Sequence, residues 1–157
     1  MGKYAEIMQE LAAIPGRAHP ATEIQIEEIE REIGCRLPEG YRDFLRDYGG
    51  FFVGVWVLLS KPTAGGEDAV SIASFQGILP GDERDLLLRY QWDRAALPPE
   101  LLTIASGDNG YICLSVAGDN KESVYFWASR EGDDPHSYKD MYLLASSFDE
   151  FLNLIAK

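Results

Sequence analysis

Residues 37–59, LPEGYRDFLRDYGGFFVGVWVLL, constrain the fold more than any other stretch, because they set a charged amphipathic helix directly against a nine-residue apolar run. Pro38 suits the first position of a helix, where its missing N–H leaves nothing unpaired, and it keeps Leu37 out of the α region. Tyr41, Phe44, Leu45 and Tyr48 form the stripe predicted to be buried. Arg42, Asp43, Arg46 and Asp47 form its wet flank, and Gly49-Gly50 can take the positive φ that ends the helix. FFVGVWVLL is apolar at both odd and even positions, and for a run so short and so rich in β-branched and aromatic residues this predicts a central strand covered on both faces, with Trp56 in the core.

The flanking elements follow from periodicity and caps. Tyr4, Ile7, Met8 and Leu11 recur at helical spacing, and Ile14-Pro15-Gly16 stops that helix. Thr22 and Gln25 read as a capping box for a second helix, with Ile26, Ile29 and Ile33 as its stripe and Gly34 as its end. Lys61 to Asp68 reads as a turn, and Ala69 to Leu79 as one or two short strands. Asp82 or Asp85 can cap a helix reaching Trp92, which Leu97-Pro98-Pro99 ends. LLTIAS, the turn GDNG at 107–110 and YICLSVA predict a β-hairpin. A loop, Gly118 to Glu122, leads on to SVYFWAS. If Val116 pairs with Val124, Leu114 meets Phe126 on one face, while Cys113 meets Trp127 and Ser115 meets Tyr125 on the other. Residues 130–140 read as a polar loop and MYLLA as the last strand. Ser147 with Glu150 caps a final helix that buries Phe148, Phe151, Leu152 and Ile155.

A chain of 157 residues is of one-domain size, and the expectation is a single domain over 1–157. Its apolar runs are too short to span a bilayer. The start MGKYAEIMQELAAIPG interleaves polar with apolar residues, unlike a secretory signal, which predicts a cytoplasmic protein. Cys35 and Cys113 lie far apart in apolar patterns and are expected to be reduced, buried thiols. The net charge of −12, from 26 acidic and 14 basic side chains, argues against direct nucleic-acid binding. It leaves two readings open: carboxylates that steer a basic protein partner, or acidity that serves solubility alone.

Catalytic signatures are missing. His19 and His136 belong to no metal-ligand spacing, and no nucleophile elbow, phosphate loop or dinucleotide fingerprint is present, so neither metal nor cofactor is expected. Asp133-Asp134 or Asp82-Glu83-Asp85 could supply an acid and a base, but in so acidic a chain solvated loop charge is the far commoner explanation. Trp92 ends a helical stretch and is not placed. Trp127 shares a strand face with Tyr125, either as core under a helix or as an anchor for a partner.

Several of these stretches together resemble the SUKH superfamily, which joins fungal cell-wall-assembly regulators of the Smi and Knr type with bacterial toxin-immunity proteins. LPEGYRDFLRDYGGF resembles the family's signature of Leu-Pro, a tyrosine, a Phe-Leu pair and a Gly-rich helix end. LLTIASGDNGYICLSV is similar to its strand, Gly-rich turn and strand, VYFW to its next strand, and SFDEFL to the start of its last helix. Where many relatives carry Asn-Gly after the helix tyrosine, this chain has Gly49-Gly50. The likeness does not extend to 61–96.

The resemblance implies an α+β fold: a mostly antiparallel sheet with N-terminal helices and a C-terminal helix packed against it. It implies protein binding rather than catalysis, as an immunity protein that neutralises a cognate toxin domain, often a nuclease. An acidic inhibitor suits a basic toxin, because its carboxylates can mimic the phosphates that a basic cleft holds. Two alternatives are a regulatory or scaffolding module and, less favoured, an enzyme using its loop carboxylates. The hairpin register proposes where a partner would dock. Tyr111, Ser115, Tyr125 and Trp127 share the face opposite Ile112, Leu114 and Phe126, with Asp119, Glu122, Glu131, Asp133 and Asp134 as a charged rim.

Overall fold

The computed structural model describes residues 6, 9, 19–59, 66, 68–108, 110–128, 138 and 141–156. In chain order these form α1 (Glu23–Ile33), α2 (Glu39–Asp47), β1 (Phe51–Leu58), β2 (Ala69–Phe75), α3 (Leu86–Asp93), β3 (Leu101–Gly107), β4 (Gly110–Ser115), β5 (Val124–Trp127), β6 (Met141–Ala145), α4 (Phe148–Leu152) and β7 (Ile155–Ala156). Of the helix expected near the N-terminus only Glu6 and Gln9 are described, both helical. The turn at 61–68 lies outside the described residues except Gly66 and Asp68.

The capping box of α1 is formed: Gln25 N–H donates to Thr22 Oγ1 at 3.2 Å and Thr22 N–H to Gln25 Oε1 at 2.9 Å. Ile26 and Ile29 are buried, and Gly34 closes the helix at φ 89°. Pro38 stands one place earlier than its sequence suggests, as the N-cap of α2 with extended ψ 142°. Tyr41, Phe44 and Leu45 are buried as expected, whereas Tyr48 is half-buried. The Gly49-Gly50 pair does more than stop the helix. Gly49 has φ 68°, and a Cβ there would lie 1.8 Å from the His19 carbonyl oxygen. A Cβ on Gly50 would lie 2.7 Å from the Gly77 nitrogen. Two glycines therefore let three chain segments cross at one point.

Arg42 corrects the expected wet flank of α2. It is only 3% exposed, because Glu30 and Glu23 draw it inward. Its Nε donates to Glu30 Oε2 at 3.1 Å, its Nη2 donates to Glu23, and Glu30 Oε2 also accepts the Leu37 N–H at 2.7 Å. A guanidinium so paired can be buried where a lone one could not.

The strands make one antiparallel sheet in the order β6-β5-β4-β3-β2-β1-β7. The main core lies between its first face and α1, α2 and α4, where Phe44 packs on Phe75 and Phe148 with ring centroids 4.9 and 5.3 Å apart. Asp85 is the cap of α3, accepting the Leu88 N–H.

Three further expectations are corrected. β1 is neither central nor covered on both faces: among the described residues β7 alone stands outside it, and Trp56 and Leu58 are 50% and 60% exposed while Val53, Val55 and Val57 are buried. Ile155 is not on the last helix, which ends at Leu152; it lies in β7 and pairs with Val57. The β4–β5 register places Leu114 opposite Val124, Cys113 opposite Tyr125 and Tyr111 opposite Trp127. That is a slip of two residues from the Val116–Val124 pairing, because Val116 leaves the ladder and bonds the Glu100 carbonyl instead. A two-residue slip preserves the faces, so Ile112, Leu114 and Phe126 remain on the core side.

Candidate functional site

The second face of the sheet carries the side chains that the core leaves over. From one edge to the other it presents Met141 and Leu143, Tyr125 and Trp127, Tyr111, Cys113 and Ser115, Leu101 and Thr103, Ser71, and then Trp56 and Leu58. One described helix, α3, lies over its middle; Leu86 at its start is buried in the main core, and polar contacts hold the rest. Thr103 Oγ1 donates to Asp93 Oδ2 at 2.7 Å, Arg89 Nε donates to the same oxygen at 2.8 Å, and the Arg89 guanidinium sits 4.1 Å from the centroid of the Tyr111 ring. Beside this clamp Leu97, Leu101 and Cys113 form a small second cluster against which Tyr125, Trp127 and Met141 pack. Burial pushes the Cys113 thiol up to about 12, so it is a packed side chain and not a nucleophile.

A groove of ≈ 620 Å³ runs between α3 and the sheet, lined among others by Ser74, Gln76, Arg84, Arg89, Trp92 and Tyr111. Two of its charges pair with each other: Arg84 bonds Asp82 at 2.8 and 3.0 Å, which holds the Asp82 carboxyl well below the usual carboxylate range. Trp92, unplaced by sequence, is 57% exposed at this groove.

The residues singled out from sequence are partly assembled. Tyr111 and Trp127 stack across β4 and β5 with centroids 5.4 Å apart, and both are half-buried. Tyr125 is half-buried and packs on Tyr138 at 5.4 Å. Ser115 is fully buried and turned away from solvent; its hydroxyl is taken up by Ala117 O at 3.0 Å and Asn120 Oδ1 at 2.9 Å. Asp119 and Glu122 are exposed on the loop between β4 and β5, Glu122 with φ 80°. Glu131, Asp133 and Asp134 lie outside the described residues, as does His136.

Sequence reasoning missed Asn120. Its Nδ2 donates to Tyr125 Oη at 3.1 Å and to Tyr138 Oη at 2.9 Å, while the Tyr138 hydroxyl donates to Glu100. One amide thus ties the loop to β5 and to the chain before β6, and no sequence signal short of the correct register marks it. Burial first, and then donation to the Glu100 carboxylate, hold the Tyr138 hydroxyl above its ordinary value. Among the described residues no cluster of histidine, cysteine or carboxylate side chains could hold a metal ion, and no helix is long and apolar enough to cross a membrane.

The arrangement is a broad mixed surface of aromatic, hydroxyl and paired charged groups. Comparison with known proteins agrees in placing the chain. The family model described as SMI1 / KNR4 family (SUKH-1) matches residues 20–154. The SPbeta prophage-derived uncharacterized protein YokK of Bacillus subtilis (strain 168) is 30% identical over 96% of this chain and 83% of its own length. The α+β architecture, the helix-strand junction at 37–59 and this match together show that the chain belongs to the SMI1/KNR4 (SUKH-1) family.

Proposed function

We propose that this chain is an immunity protein that neutralises a basic toxin domain by one-to-one binding and carries out no turnover of its own. The observation that carries the reading is the second face of the sheet. There Tyr111, Tyr125 and Trp127 stand half-buried and Trp56 and Leu143 are exposed, with Trp92 exposed on the helix above them, on a chain of net charge −12. Stiff aromatic side chains within a polar, charged surround have the composition of an interface core and its rim. Asp119 and Glu122 belong to that rim, and Glu131, Asp133 and Asp134 add their charge in the same reading. Ser115 contributes indirectly, through the loop it anchors.

Family membership supports a protein partner, and charge supports a basic one. Steering between opposite charges is screened beyond about 8 Å at physiological ionic strength, so association should slow steeply as salt rises. The test is a titration against the toxin domain encoded beside this chain. Activity should fall to zero at one equivalent, and unchanged activity at molar excess refutes the reading. The protein alone should show no turnover on nucleic acid, phosphoester or ester substrates; activity abolished by a single carboxylate substitution would make it an enzyme.

A further inference from the structure

The sheet ends on β6, and among the described residues nothing pairs with the outer side of that strand. An edge strand presents a row of unpaired N–H and C=O groups, which proteins ordinarily blunt with lysine, proline or a cover. β6 reads MYLLA, without charge or proline. Its one irregularity falls at Leu144, between the Val124–Ala145 and Tyr125–Leu143 pairs, and leaves Met141 to Leu143 a regular ladder.

One bond sets the direction of the outward groups. The Met141 N–H donates to the Tyr138 carbonyl at 3.0 Å and not to β5. In an antiparallel ladder successive residues face alternate neighbours, so Tyr142 bonds β5 and Leu143 turns its N–H and C=O outward. The Leu143 side chain is 62% exposed as well. Charge surrounds one end of this edge. Glu122 lies two residues before Val124, the partner of Ala145; Asp119 is on the same loop, and Glu150 bonds Ser146 just after β6 at 2.7 Å. Against these three exposed carboxylates stands Lys121.

We infer that β6 takes up an extended, lysine- or arginine-bearing segment of the partner as an additional antiparallel or parallel strand. Main-chain bonds at Leu143 supply affinity in this arrangement, and the nearby carboxylates select a basic sequence. The inference rests on the reading that the partner is a basic toxin domain. A second copy is the other occupant an open edge invites, but two chains of charge −12 would meet with like charges.

The experiment uses the full chain and the adjacent toxin domain with its active centre silenced. In the complex, exchange of the Leu143 amide should slow at least about tenfold relative to the free protein. Leu143→Pro removes the outward N–H without taking a bond from β5 and should weaken binding at least about tenfold, whereas Leu143→Thr keeps the N–H and should stay within about threefold. If the proline variant fails to fold, amide exchange in the wild-type complex decides. A stable complex in which Leu143 exchanges as in the free protein, or a folded Leu143→Pro that binds like wild type, overturns strand addition and leaves the immunity reading standing. No complex at all removes both. A free protein that dimerises, and is made monomeric by Leu143→Pro, assigns the edge to a second copy and overturns the inference.

Discussion

The two faces of the sheet are held by different physics. On the first, α1, α2 and α4 press Ile26, Tyr41, Phe44, Phe148 and Phe151 against strand residues that are all but inaccessible. On the second, α3 is fixed by the Arg89–Asp93–Thr103 clamp, by Leu86 sunk into the main core at its start and by a cluster of three buried residues, and the outer strands on either side stay partly open. Apolar packing is cooperative and tolerates little change in volume. A polar clamp is directional and covers only what it touches. The first face specifies the fold, and the second retains aromatic and charged side chains that folding does not consume.

The largest effect expected from that contrast belongs to Phe44→Ala. Phe44 links α2 to Phe75 of the sheet and Phe148 of α4, and its loss should cost about 3–5 kcal/mol in a denaturant melt. Stability at the parent level would mean that the signature stretch is a site and not a core. Next comes Arg42→Ala, which strands the nearly buried Glu30 carboxylate and should cost about 3 kcal/mol. The same cluster gives a pH limb. Hydrogen bonding from Arg42, ahead of every other influence, holds the Glu23 carboxyl below its ordinary value of 4.5. A carboxylate with a depressed folded pKa contributes stability above its unfolded pKa and loses it as pH falls through the folded value. Stability should therefore decline as pH drops below 4.5, and Glu23→Gln should flatten that decline in urea melts on either side of it.

Trp127→Ala tests the second face. With Trp127 half-buried against Tyr111 and Met141, the expected cost is about 2 kcal/mol of stability, less than a core tryptophan, with the protein still folded and dissociation from the toxin domain faster. Replacing Asp119 and Glu122 by Asn and Gln should leave the melt unchanged and slow association, and should weaken its salt dependence. If Trp127→Ala unfolds the protein, the two faces are equally core.

Much of the first face was legible because local signals and burial agree there. Thr22 and Gln25 cap α1, Ser147 caps α4, and the helical stripes face the core. What was not legible depended on partners distant in sequence. Arg42 looks solvated until Glu23 and Glu30 are brought beside it. Ile155 fits a helical stripe until β1 offers it an edge. The β4–β5 register slipped by two because a turn-rich loop does not reveal where its ladder resumes, yet the face assignment survived, since side-chain alternation has a period of two. Asn120 is invisible without that register. At the site, alternation alone put Tyr111, Tyr125 and Trp127 on one face, and the Asp85 cap marked α3; that α3 is the helix lying over that face was not legible, because the Arg89–Asp93–Thr103 clamp joins residues that only the fold brings together.

The smallest expected effect is at Trp56, where the sequence pattern and the structure disagree most sharply. FFVGVWVLL gives every position an apolar residue, so periodicity assigns no face. In the fold Val55 and Val57 point into the core, and Trp56, opposite Ser71 on β2, points out. Trp56→Thr keeps a β-branched side chain on the strand and removes an indole that is half in water, so it should cost no more than about 1 kcal/mol in a denaturant melt. A loss as large as that of Phe44→Ala would show that this face is packed in solution, and the contrast between the faces would fall. A small loss accompanied by weaker binding to the toxin domain would instead extend the interface across the sheet from β5 to β1, and would explain why a tryptophan and a leucine stand exposed on a strand whose neighbouring residues are buried.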